Sequence, residues 1–155
     1  MICKKCGMNL PNGTLRCRKC NEPQTLEGMT AKELRAEASH EYVDGNYEKA
    51  VEILERASNI ASSDTPELAK DIWLHKGMAL TKLNRWREAL QSYDQALIYD
   101  SHDFFIWYQR GEALFRLGRY HEALAAFDHA LSVDPSDYLS LATAGKENTL
   151  RMLGR

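Results

Sequence analysis

The feature that most constrains this chain is a self-match at one fixed shift, the one that carries Trp73 onto Trp107. At that shift Gly77, Ala79 and Leu80 fall on Gly111, Ala113 and Leu114. The register continues with Leu83 on Leu117, Arg85 on Arg119 and Glu88-Ala89-Leu90 on Glu122-Ala123-Leu124. It then places Tyr93 on Phe127, Ala96-Leu97 on Ala130-Leu131 and Asp100 on Asp134. A repeat of this length is one supersecondary unit stacked on copies of itself, so fold class follows from reading one unit.

Within the unit, Trp73, Lys76, Gly77 and Leu80 recur at helical spacing, as do Ala89, Leu90, Tyr93, Ala96 and Leu97. Two helices joined at Asn84-Arg85, or at Gly118-Arg119, satisfy both patterns. Small residues at Gly77/Gly111, Ala89/Ala123 and Ala96/Ala130 let the helices approach closely. Trp73/Trp107, Leu80/Leu114 and Tyr93/Phe127 fill the space around the contact. A weaker unit begins near Ala31, with Leu34 in the Trp slot, Ala38 in the Gly slot, and then Gly45-Asn46-Tyr47-Glu48-Lys49-Ala50, Leu54 and Ala57. Five extra residues precede the next register, and Thr65-Pro66-Glu67 reads as an N-cap with proline in the first helical position. Asp134-Pro135 stops a helix, and a last helix, expected over 138–153, sets Leu141 and Gly145 in the Trp and Gly slots. Leu153-Gly154-Arg155 repeats the Leu117-Gly118-Arg119 turn, which leaves open a continuation into a longer array.

These slots resemble those of the tetratricopeptide repeat (TPR) family over roughly residues 31–153. The resemblance implies an all-α helical-hairpin solenoid wound as a right-handed superhelix, with repeats at about 31–64, 70–103 and 104–137 and a capping or partial fourth-repeat helix at 138–153. It further implies a groove lined by first helices that binds a peptide or protein segment. Slot by slot that groove carries Arg35, Ser39 and Tyr42, then Leu74, His75, Met78 and Lys82, then Phe105, Tyr108, Gln109, Glu112 and Arg116. The competing outcome is that its apolar members pack against the N-terminal segment, the inserted loop or another copy of the chain, a homo-oligomer. TPR clamps for the acidic tails of cytosolic chaperones use Lys, Asn, Asn, Lys and Arg. This chain has Arg35, Ser39, His75, Phe105 and Gln109 there, and only Arg35 keeps the charge. A chaperone-tail binder is not expected.

All four cysteines lie near the N-terminus, as Cys3-x2-Cys6 and Cys17-x2-Cys20. Two such knuckles supply the four soft ligands of a closed tetrahedral Zn²⁺ site. Gly7 and Asn21 follow the pairs, and Pro11-Asn12-Gly13 suits the tip of a β-hairpin. With almost no larger apolar side chains beyond Ile2, Met8, Leu10 and Leu15, residues 1–24 cannot form a core. Structural zinc, worth about 10–16 kcal/mol in small sites, would have to fold them. A redox pair normally opens a helix in a βαβ unit, a context missing from this sequence; an iron–sulfur site is the other competitor. The segment resembles short N-terminal zinc ribbons, departing at Asn21, where a second Gly is usual, and at Arg16, where an aromatic often stands. Residues 25–30 would then be a linker and 31–155 the array.

The net charge of -2 divides unevenly. Residues 1–27 hold five basic side chains (Lys4, Lys5, Arg16, Arg18, Lys19) against two acidic ones, leaving +3 there and -5 on the rest. A basic head admits a second reading, a nucleic-acid-associated adaptor contacting phosphates, although four thiolates on Zn²⁺ would lower its charge to about +1 and no aromatic is present for stacking. No apolar run is long enough to cross a membrane, no secretory h-region opens the chain, and a cytoplasmic protein is the expectation. Neither H-E-x-x-H, G-x-S-x-G nor a phosphate loop occurs, and the histidines at 40, 75, 102, 121 and 129 converge on no acid–base pair. The expected role is a non-catalytic protein-interaction scaffold.

Overall fold

The computed structural model describes residues 29–61, 65–133 and 139–154. The four cysteines and the expected ribbon lie outside them. The described residues form seven α-helices and no strand: α1 Ala31–Val43, α2 Tyr47–Ile60, α3 Pro66–Lys82, α4 Trp86–Tyr99, α5 Phe104–Arg116, α6 Tyr120–Val133 and α7 Leu139–Met152. Each helix packs on the next. The alternate helices α1, α3, α5 and α7 also touch one another in sequence, whereas α2, α4 and α6 do not. The stack therefore curves with α1, α3, α5 and α7 on its inner side.

Local chemistry sets the boundaries. Thr30 caps α1 through a capping box, its hydroxyl accepting from the Glu33 N–H at 3.3 Å while its own N–H donates to the Glu33 carboxylate at 2.8 Å. Asp103 caps α5 by accepting from the Ile106 N–H at 3.2 Å. Pro66 occupies the first turn of α3, as the Thr65-Pro66 pair predicts, and α3 is a full turn longer than α1 or α5. Each hairpin turns through one left-handed residue: Gly45 at φ 80°, Asn84 at φ 59° and Gly118 at φ 73°. The following amide closes the turn on the carbonyl of Glu41, Leu80 or Leu114.

The hairpin core is a large ring set against a glycine. Tyr93 and Phe127 are fully buried, and a Cβ on Gly77 would overlap the Tyr93 ring. The Tyr93 hydroxyl, pushed above its usual pKa by burial, lies 2.9 Å from Thr81 Oγ1, itself 2.9 Å from the Gly77 carbonyl. A carbonyl only accepts, so Thr81 donates to Gly77 and Tyr93 donates to Thr81. In the third hairpin both partners change together, to Phe127 and Phe115. Thr81→Val should therefore cost about 1–3 kcal/mol by orphaning a buried hydroxyl. Thr81→Val with Tyr93→Phe should recover most of that loss in a chemical-denaturation titration.

Hairpins are joined by one recurring ion pair across the seam. Arg110 Nε meets Asp94 Oδ1 at 2.7 Å, and Lys146 Nζ meets Asp128 Oδ1 at 2.7 Å. Asp128 follows Asp94 by one repeat period, but Lys146 follows Arg110 by one period plus two residues. Ala142 and Thr149 are buried as Ile106 and Ala113 are, and Gly154 (φ 74°) takes the place of Gly118, each with the same two-residue excess. This corrects the expected register of α7 by two residues. Leu141 is 47% exposed rather than in a Trp slot, and Gly145 instead abuts the Phe127 ring. The Trp and Gly slots hold Thr143 and Glu147.

Candidate peptide-binding groove

The inner face is assembled from one stripe of each first helix. On α1 the stripe presents Arg35, Ser39 and Tyr42, and on α3 it presents His75 and Met78, all partly exposed. Ser39, Tyr42, His75 and Met78, with Val43, surround a cavity of about 190 Å³ floored by Ala38 and Leu54. Its walls are mostly apolar. His75 Nδ1 lies 2.6 Å from the Asp71 carbonyl, which can only accept, so Nδ1 donates to it and the ring is held in place. A larger cavity of about 450 Å³ opens on the opposite side between α2 and α4, but Glu55, Lys76, Glu88, Gln91 and Gln95 line it. Apolar walls with few polar groups are the better binding surface, so the inner cavity is the candidate site.

Two expected groove residues serve the fold instead. Leu74 is 9% exposed and belongs to the main core with Leu80, Tyr93 and Ile106, because α3 turns it toward the hairpin interior. The Arg35 guanidinium lies 3.0 Å from Asp71 Oδ2, an ion pair between α1 and α3 that occupies the one clamp-like cation. Asp71 went unnoticed in the sequence, where an aspartate two helices on from an arginine carries no pairing signal.

On α5, Phe105 is 36% exposed, and Tyr108, Gln109 and Glu112 are partly buried. These residues do not line the 190 Å³ cavity. Tyr108 is less free than the repeat pattern suggests. Its ring stacks on Phe104 at 6.3 Å and tilts against Phe127 at 6.1 Å, so Tyr108→Ala would loosen the core as well as the face. Phe104, which sequence reasoning passed over, is buried against Ala130 and Ala142. Lys82 and Arg116 stand exposed on the last turns of α3 and α5, and the Arg116 guanidinium lies 5.7 Å from the Trp86 ring centre.

Glu112 is the unusual charge on this face. Burial raises its carboxyl pKa above the ordinary 4.5, with Arg116 only partly opposing the shift. A carboxyl whose folded pKa is raised binds protons better folded than unfolded, so its charge weakens the fold as pH rises from the ordinary value through the raised one. Glu112→Gln should accordingly raise the melting temperature at neutral pH. That gain should shrink toward zero below pH 4.5, as read by thermal circular dichroism across a pH series.

Among the described residues no helix is long and apolar enough to cross a membrane, and no group of three or more His, Cys, Asp or Glu could hold a metal ion.

Residues 76–145 match the family model for the tetratricopeptide repeat. Among solved structures, the second TPR domain of the human RPAP3 protein, in complex with the HSP70 peptide SGPTIEEVD, aligns with a TM-score of 0.69 at 22% identity, covering 77% of this chain and 93% of that one. The TPR2B domain of yeast Sti1, in a complex with pHsp70, aligns at 0.70 and 18% identity over 78% of this chain and 96% of that one. The myosin chaperone UNC-45 from C. elegans, in complex with an Hsp70 peptide, aligns at 0.74 and 23% identity over 81% of this chain and 14% of that one. No curated protein matches the sequence. Residues 76–145 thus match the tetratricopeptide repeat, and the seven stacked helices share the fold of the solved TPR domains.

Proposed function

We propose that the chain is a non-catalytic, cytoplasmic interaction scaffold that holds a peptide segment of a partner protein on the inner face of its TPR array. The observation that carries this reading is the apolar 190 Å³ cavity between α1 and α3, open on the side where first helices meet. Similar arrays have been solved holding HSP70 and Hsp70 peptides, which supports a peptide as the class of ligand. The acidic tail of such a peptide does not suit this chain, whose Arg35 is already paired with Asp71. We also propose that Cys3, Cys6, Cys17 and Cys20 bind one structural Zn²⁺ and fold residues 1–24 as a ribbon preceding the array, on the strength of their spacing.

A library of random dodecapeptides selected on the immobilised full chain tests the groove. Selected peptides should lose binding to Ser39→Phe, which fills the cavity, and keep it with His121→Ala on the exposed side of α6. Peptides that bind both variants equally would overturn the groove reading. Elemental analysis tests the metal: one zinc per chain is expected, lost with Cys17→Ser, and iron with a visible absorption band would refute it.

A further inference from the structure

We infer that the ligand segment combines a large apolar side chain with a lysine or arginine, the first filling the cavity between α1 and α3 and the second meeting Glu112 on α5. This rests on the groove reading above and deepens it with the charge the groove presents. Glu112 makes no hydrogen bond or ion pair among the described residues, although it is partly buried. Its charged neighbour one turn on, Arg116, keeps its guanidinium over the Trp86 ring.

The cation on the α1 stripe of this face, Arg35, is already paired with Asp71 at 3.0 Å. Lys32, Lys82 and Arg116 are exposed on the first or last turns, where water solvates them. A partly desolvated carboxylate gains most from an opposing charge, because the desolvation cost is already met in the free protein. Tyr108, one turn before Glu112, and the exposed Phe105 ring supply apolar surface along which the stem of a lysine or arginine can lie. An acidic ligand would meet Glu112 as a like charge, so the same residue selects against it.

The test uses the peptides recovered from the random dodecapeptide library on the full chain. The expected result is enrichment of sequences carrying Lys or Arg near Leu, Ile, Met or Phe. For the strongest of these, Glu112→Gln should weaken binding by tenfold or more, measured by fluorescence anisotropy. Exchanging the peptide's basic residue for Gln should weaken it similarly, and the two changes together should cost little more than either alone. A Glu112→Gln melting temperature at or above that of the unaltered chain keeps a loss of binding from being a loss of fold. Enriched peptides that are acidic or uncharged, or that bind Glu112→Gln unchanged while Ser39→Phe abolishes binding, would overturn the charge assignment and leave the groove standing. Peptides indifferent to Ser39→Phe, or no enrichment at all, would overturn the groove reading and this inference with it.

Discussion

Phe127→Ala is expected to lower the stability of the array by about 3–5 kcal/mol, the usual cost of emptying a buried phenylalanine site. The ring is fully buried and packs between two glycines, with a Cβ at Gly111 or at Gly145 falling 2.7 Å from it. Neither flank carries a side chain that could collapse into the vacated space, so the cavity term should be near the upper end. Denaturant unfolding followed by helical circular dichroism measures it. A loss below about 1 kcal/mol, no more than a typical surface or mild substitution, would show that the third hairpin is not organised around this ring.

Gly111→Leu should be comparably severe for the opposite reason. Even a methyl group there would overlap the Phe127 ring, and the ring cannot retreat because the α7 backbone at Gly145 stands behind it. Overpacking of this kind costs about 1–3 kcal/mol and occasionally more. The two substitutions occupy one space, so combining Gly111→Leu with Phe127→Ala should cost clearly less than their sum. Strict additivity would mean that the leucine is accommodated elsewhere, and that α5 and α6 do not meet at this point.

The hairpins were legible because close packing leaves a chemical trace at fixed intervals. A glycine on the first helix, facing an aromatic on the second, marks a contact too tight for any side chain. It recurs as Gly77 with Tyr93 and Gly111 with Phe127. The register of α7 was not legible from the same cues. Gly145 follows Gly111 by one full repeat period and looks like its counterpart, yet the repeat has slipped by two residues. A better signal was available in Leu153-Gly154-Arg155, which copies the Leu117-Gly118-Arg119 turn with the slip included. Turn residues fix register more firmly than a small residue does, since a left-handed φ is a stricter demand than space.

The groove was only half legible. Slot positions give the side of a helix but not how deeply each residue on it packs, and buried Leu74 lies one turn from half-buried Met78 on α3. Pairing across helices is harder still. Arg35 finds Asp71, Arg110 finds Asp94 and Lys146 finds Asp128, all through contacts set by stacking. Once the Asp94 rung is known its successor at Asp128 could have been anticipated, with a basic residue on the following first helix.

The ring of Phe127 has one more consequence. It belongs by sequence to α6, yet it touches α5 through Gly111 and α7 through Gly145. Three helices thus share a single packing element, and none can leave without exposing it to water. Local opening should not peel α7 away as an independent end. Amide hydrogens in the middle of α5, α6 and α7 should exchange with solvent at a common free energy, as one cooperative unit.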